Sequence, residues 1–406
     1  MSQIFVGIDL GSTKIAALAG RIEGENIEIL GFSLVPSQGI KYGNIVDVIG
    51  ASNCIAESMK RIEKMIGTRL EQKVIVGIGN DQMMVTPSKG MVIMKSRDQE
   101  ISPEDVERAI EAAKMAPLPP NREIIYTIKR EFHVDGQNSI ENPVGLIGTR
   151  LEADVLLVSY DNIQLKNIKN AFERANLEIE GFIPKEIAAS EAVLSSQEKK
   201  LGVALVDIGG DLTNLAIYQD GSVLATGVLR LGGERITRDL AVGLRIKIEE
   251  AEKVKKILGT LKGEKEESLE VISLQEKKIK VSSFQVREIL QPRVEEILEF
   301  IEKKLRDLNY PLELIPGGLV ITGGTSLLDG FVEFASEYLK IPVRRGYPLE
   351  LSKYIPEKDA YFYSVAMGLL LRVREDKLNL REKYPVIKSI KNKIKKIFKP
   401  FREMYF

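Results

Sequence analysis

The chain reads as a two-lobed α/β protein, because one hairpin motif occurs twice and helical segments alternate with strands through both halves. The first copy is Phe5-Val6-Gly7-Ile8-Asp9-Leu10-Gly11-Ser12-Thr13-Lys14-Ile15-Ala16-Ala17-Leu18. The second is Val203-Ala204-Leu205-Val206-Asp207-Ile208-Gly209-Gly210-Asp211-Leu212-Thr213-Asn214-Leu215-Ala216-Ile217-Tyr218. Each is an apolar strand ending in Asp-x-Gly, a small polar turn and a second apolar strand. Copies half a chain apart indicate two related lobes rather than a solenoid period. A length of 406 residues suits two domains that each bury a core.

The elements follow in order. Ala51–Ile66 is amphipathic and precedes a strand at Lys73–Ile78. Ser102-Pro103-Glu104-Asp105 has the form of an N-cap, with proline at the first helical position and acids in the first turn; its helix runs to about Lys114. Met115-Ala116-Pro117-Leu118-Pro119-Pro120 breaks that helix. Strand patterns at Glu123–His133 and Glu152–Ser159, then a helix at Asn162–Ala175, lead through Glu178–Ser195 to the second hairpin. A charged, helix-rich stretch, Glu234–Leu308, is followed by a third glycine turn, Gly323-Gly324-Thr325-Ser326-Leu327-Leu328. Tyr361–Arg374 is a largely apolar helix, Glu375–Tyr384 reads as a linker, and a basic tail ends the chain.

Composition narrows the chemistry. Acidic and basic residues number 58 each, so overall charge favours no nucleic-acid partner. The single cysteine, Cys54, permits no internal disulfide, which fits a reducing compartment. The single histidine, His133, argues against a histidine-based metal site or a Ser/His/Asp triad. Met1-Ser2-Gln3 runs straight into a strand without a basic leader, and no apolar run reaches membrane-spanning length. The expectation is a soluble, cytoplasmic body.

The three glycine turns carry the candidate site. A triphosphate needs backbone N–H groups close to its oxygens, which glycine and small residues allow. Gly11, Ser12 and Thr13 offer such a tip, with Lys14 as a point charge for phosphate. Gly209, Gly210 and Thr213 form the second tip, and Gly323, Gly324 and Thr325 the turn suited to a base or ribose. Asp9 and Asp207 end strands facing one cleft, where they are expected to hold the water shell of Mg²⁺. One such turn alone is more often a plain hairpin; three in this order, each at the end of an apolar strand, are much harder to obtain from plain hairpin chemistry.

That order resembles the actin superfamily. Pro184-Lys185-Glu186-Ile187-Ala188-Ala189-Ser190-Glu191-Ala192-Val193-Leu194 and Tyr363-Ser364-Val365-Ala366-Met367-Gly368-Leu369-Leu370 are similar to its interdomain connectors. Within it, the likeness narrows to the bacterial cell-division FtsA family. The stretches that carry it are Ser37-Gln38-Gly39-Ile40 with Gly43, Ile101-Ser102-Pro103-Glu104-Asp105-Val106, Asn142-Pro143-Val144-Gly145-Leu146, and Gly232-Gly233-Glu234-Arg235-Ile236-Thr237-Arg238-Asp239-Leu240-Ala241 with Glu249-Glu250-Ala251-Glu252-Lys253-Val254-Lys255.

The resemblance implies an actin-like two-lobe ATPase fold with an FtsA-type inserted α+β subdomain and a C-terminal amphipathic helix. The divisions would be a first lobe core at 1–82, the insert at 83–158, and a return with connector at 159–200. A second lobe core at 201–237, a helical subdomain at 238–314 and an adenosine turn with return at 315–374 would follow, then the linker 375–384 and tail 385–406. It implies nucleotide contacts by Glu252 and Lys255, which are also placed for an exposed ion pair. Glu186 would orient a hydrolytic water with Asp207 across the cleft, Glu191 being the alternative; either is equally a helix-stabilising acid. The family's second turn usually reads Asp-x-Gly-Gly-Gly-Thr, whereas Asp211 and Leu212 stand in the last two places. A carboxylate there would repel a γ-phosphate unless Mg²⁺ or Lys14 screens it, so ATP binding with slow turnover at most is expected.

The tail supplies a second expectation from its own periodicity. Ile387, Ile390, Ile394, Ile397 and Phe398 fall on one helical face, with Lys388, Lys391, Lys395, Lys396 and Lys399 on the other, the pattern of a helix lying in an anionic membrane surface. Each lysine contributes about 1 kcal/mol near such a surface and each partly buried Ile or Phe about 1–2 kcal/mol. Ordering the short helix offsets much of this, so one tail binds reversibly and a row of tails firmly. No base-stacking aromatic platform accompanies the lysines, so a nucleic-acid partner is not expected.

Filament formation by self-assembly, the FtsZ C-terminal tail as partner, other division proteins, and a peripheral place on the cytoplasmic membrane face at the division site are implied by the resemblance. Arg287 and Arg293, on the helical subdomain, are the candidates for meeting the acidic FtsZ tail. An MreB-like or pilus-assembly actin relative, or a sugar or acetate kinase, is the alternative.

Overall fold

The duplicated hairpins seed two sheets of the same topology. In the computed structural model, which describes residues 3–96, 99–263 and 267–383, the first lobe orders its strands Glu178–Pro184, Lys73–Ile78, Ile4–Leu10, Lys14–Glu23 and Asn26–Pro36. The second lobe orders Val343–Arg345, Leu319–Thr322, Val203–Ile208, Thr213–Gln219 and Ser222–Leu229. Each sheet therefore has a three-stranded antiparallel meander continued by two parallel strands. Parallel pairing requires a crossover, and the helix Val48–Ile66 supplies it in the first lobe. Apolar residues fill both faces of the central strands, as sheets covered on both sides require.

The register makes the two lobes equivalent at the site. Asp9 pairs with Ala16 and Gly77, next to the end of its strand; Asp207 pairs with Asn214 and Thr322 at the same place. Two helices join the lobes: Lys185–Val193, and Ser364–Lys383. They cross so closely that a Cβ on Gly368 would lie 1.6 Å from the Ala188 carbonyl oxygen, so only glycine fits.

The insert is a four-stranded sheet ordered Met84–Ile93, Arg150–Asp161, Arg122–Val134, Gln137–Ile140, with the helix Pro103–Lys114 on one face. The expected cap forms a reciprocal box: Asp105 N–H donates to Ser102 Oγ at 3.2 Å and Ser102 N–H to the Asp105 carboxylate at 3.0 Å.

Two expectations need correction. The stretch read as a linker is helical through Lys383, because it lacks Gly and Pro and Arg372 pairs with Glu375 and Asp376 along one face. The segment read as helix-rich also contains a hairpin, Ser268–Ile272 with Lys278–Ser282, before the helix Ser283–Asp307, which absorbs Pro292 in its interior. The basic tail, with Ile387, Ile390, Ile394, Ile397, Phe398, Lys388, Lys391 and Lys395, lies outside the described residues. Among those that are described, no helix is long and apolar enough to cross a membrane.

Candidate functional site

Asp9 and Asp207 sit on the floor of the cleft between the lobes, both 8% exposed. The first is matched by a residue the sequence reading overlooked. Lys185, which opens the connector helix, places Nζ 2.8 Å from Asp9 Oδ1 and donates to the Leu10 carbonyl at 2.8 Å. Asp207 lacks so close a cation: its partner is the Asn214 amide at 3.5 Å, and burial together with the Asp9 charge pushes its carboxyl up to about 6. Burial also pulls the Lys14 ammonium down to about 8, against the attraction of Asp9 and Asp207. Lys14 Nζ lies 3.8 Å over the Phe362 ring, beside Gly324.

The two hairpin tips meet. A Cβ on Gly210 would stand 2.3 Å from Thr13 Cγ2, so the approach of the lobes depends on glycine there. Gly323 has φ +86, and a Cβ would fall 2.5 Å from Asp207 Oδ1, so the third turn also requires glycine. The second tip is tied from below: Gly233 and Glu234 N–H donate to the Gly209 and Gly210 carbonyls at 2.9 Å, and Thr325 Oγ1 donates to Gly209 at 3.0 Å.

Asp211 meets a partner across the cleft. Its Oδ2 accepts from the Tyr42 N–H of the first lobe at 3.2 Å. Tyr42 belongs to a tight turn with positive φ at Tyr42 and Gly43, braced by Asn80, whose amide donates to Tyr160 Oη at 2.7 Å and Asn44 at 2.8 Å. Arg230 adds a second tie across the cleft, pairing with Asp81 at 2.5 Å and lying 5.4 Å from the Tyr42 ring.

The remaining expected residues divide. Glu252 and Lys255 pair at 2.5 Å and share Thr237, whose hydroxyl donates to Glu252 at 2.6 Å and accepts from Lys255 at 2.7 Å. This set sits against Gly233, on the wall expected for a ribose. Burial, with Glu252 and Asp211 adding their charge, lifts the Glu234 carboxyl beside it. Thr213 does not face the turn: fully buried, it donates to the Leu231 carbonyl at 2.7 Å, because strand alternation turns it inward. Glu186 is fully buried and burial pushes it up to about 8, so it is neutral at pH 7 rather than a ready base. Glu191 is held by Lys199 at 2.7 Å. In the helical subdomain, Arg293 is already paired with Asp239 at 2.5 Å and with Glu296. Arg287 donates to the Lys262 carbonyl at 3.0 Å and packs by Phe284.

Lys185 was legible only as a lysine opening a connector; nothing in its spacing linked it to Asp9, 176 positions earlier. Tyr42 and Arg230 carried no local signal at all.

Comparison with known proteins agrees with this architecture. A family model described as cell division protein FtsA matches residues 204–368, and one described as the SHS2 domain inserted in FtsA matches 81–159. FtsA of Bacillus subtilis (strain 168) is 35% identical over 373 residues, covering 91% of this chain and 83% of that protein. FtsA of Pseudomonas aeruginosa is 33% identical over 375 residues, covering 91% and 89%. The fold is shared with a PilM–PilN type IV pilus biogenesis complex, at TM-score 0.64, 18% identity and coverage of 91% and 98%. It is shared also with MreB5 of Spiroplasma citri bound to ADP, at TM-score 0.57, 15% identity and coverage of 93% and 98%. With an actin-like body and relatives this similar along most of their length, the chain belongs to the FtsA family of cell division proteins.

Proposed function

We propose that this protein binds Mg-ATP in the interlobe cleft, polymerises at the cytoplasmic membrane face and anchors the FtsZ ring there. The observation that carries the nucleotide reading is the pair of carboxylates, Asp9 and Asp207, at equivalent registers of two duplicated hairpins whose tips meet. Their all-oxygen donor set, with the buried Asn214 Oδ1 lacking a hydrogen-bond partner beside Asp207, fits a hydrated magnesium ion. Bound there, the ion would neutralise phosphate charge.

The chain's own groups do the rest. Gly11, Ser12, Gly209 and Gly210 supply backbone close to the phosphates, and Lys14, held over the Phe362 ring, supplies a positive charge beside them. Lys185 orients Asp9. Glu252 and Lys255, held by Thr237, line the ribose side. Hydrolysis is slow because Glu186, buried and pushed up to about 8, is not a ready base. Nucleotide therefore tunes assembly by bridging lobes that already touch.

The tail gives assembly its destination, since its single-copy affinity is weak and a filament multiplies it. Liposome co-sedimentation with and without the residues after Tyr384, in ATP or ADP, tests this. The full chain should pellet with anionic lipid and ATP and the truncated chain should not; a full chain left in the supernatant removes the anchoring role. For FtsZ, Arg287 is the better contact, because Arg293 has its charge met by Asp239 and Glu296. Pull-down of an FtsZ tail peptide should be lost in Arg287→Glu, and unchanged capture takes that residue out of the site.

A further inference from the structure

We propose that Glu131, His133 and Asp154 form a zinc-type divalent metal site on the inserted subdomain. Strand alternation sends Phe132 and Val134 into the subdomain core, so Glu131 and His133 share the opposite face. The neighbouring strand brings Asp154 opposite Glu131 at a bulge. One ligand atom from each of the three lies within 4.8 Å of the others.

The histidine is prepared as a ligand. His133 is 8% exposed, and its Nδ1 lies 2.9 Å from Asn138 Oδ1, an oxygen that can only accept. The proton therefore sits on Nδ1 in the neutral ring, and Nε2 carries the lone pair. That Nε2 is buried without a hydrogen-bond partner; Glu131 Oε1, 3.7 Å away, is too far to provide one. A metal-bound histidine commonly has its other nitrogen fixed in this way. Tetrahedral zinc with bonds near 2 Å sets its ligand atoms about 3.3 Å apart, so a contraction of under an ångström from 3.7 Å closes the His133–Glu131 edge.

Two cations face the same carboxylate: Arg130 at 3.5 Å and Lys89 at 3.6 Å from Asp154. Both contacts are long, and the Lys89 side chain is 62% exposed, free to turn into solvent as the metal enters. The Glu131 side chain, 35% exposed, opens the site to solvent and leaves room for a water as fourth ligand. Imidazole with two carboxylates selects zinc or cobalt over magnesium. The site also borders the second lobe, since Ser222 Oγ donates to the Arg130 carbonyl at 2.7 Å. A bound ion would thus stiffen the bulge that this lobe grips.

A sole histidine makes the test clean. The full chain, labelled with ¹⁵N-histidine, would be titrated with ZnCl₂ in excess Mg²⁺, which occupies the interlobe carboxylates. The one imidazole should shift at Nε2 with saturation at one zinc per chain, and Co²⁺ should give a d–d absorption band. Glu131→Gln, at a half-open position that need not disturb folding, should weaken binding at least ten-fold, and Asn138→Ala roughly 10–100-fold. An imidazole spectrum unmoved by saturating zinc, or equal affinity in wild type and Glu131→Gln, overturns the site.

Discussion

The two hairpins share a backbone plan and differ in how their carboxylates are neutralised. Asp9 in the first lobe has a lysine ammonium 2.8 Å away, while Asp207 at the same register has only an amide at 3.5 Å. The first tip is Gly-Ser-Thr-Lys; the second carries Asp211, which reaches back to Tyr42 of the other lobe. Duplication repeats a fold, then, while charge balance is set separately in each lobe by whatever helix or loop happens to adjoin. One carboxylate has a buried ammonium beside it, and its twin, with no cation so close, has its carboxyl pushed up to about 6.

This contrast can be broken most forcefully at Asp9. Asp9→Asn leaves Lys185 buried without its counter-ion, so stability should fall by about 3–5 kcal/mol; a chemical-denaturation curve that matches wild type would deny the pairing its role. Glu186 comes next. Its carboxyl is raised to about 8, so the folded state binds a proton more readily than the unfolded one, and stability falls as pH rises from the ordinary carboxylate range through pH 8. Glu186→Gln should remove that loss, gaining on the order of a few kcal/mol at pH 9 and little at pH 4. Melting temperatures across this range check it, and parallel curves for the two proteins would refute it.

Asp207→Asn should act opposite to Asp9→Asn. Because Asp207 is raised to about 6, its charge costs stability that is lost between about pH 4 and 6. The amide should therefore stabilise by about 1–3 kcal/mol at pH 7.5 and lower Mg-ATP affinity in calorimetry. Destabilisation as large as that of Asp9→Asn would erase the contrast between the lobes. The smallest effect belongs to Asp211→Gly, which loses one hydrogen bond worth about 1 kcal/mol. Mg-ATP affinity should rise a few-fold as the negative charge goes, and a marked fall would mean that the Tyr42 tie helps to form the site.

Much of the candidate site was readable from local pattern. Asp9, Gly11, Asp207, Gly209 and Gly323 were found because a strand, a glycine turn and a strand are written in contiguous residues, and the Ser102 cap and the connectors were found for the same reason. Thr213 and the linker were misread. A residue's direction depends on strand phase at the turn, and a helix can continue wherever nothing stops it.

Sequence alone, then, determined the two-lobed plan, the order of the turns and the lysine-rich composition of the tail, since periodicity and turn chemistry act over a few residues. Tertiary structure decided which charges meet. Lys185 with Asp9, Asp211 with Tyr42 and Arg230 with Asp81 join residues from separate strands, helices and loops. Coulombic and hydrogen-bond energies depend on separation in space and on burial, and neither is written in the spacing along the chain.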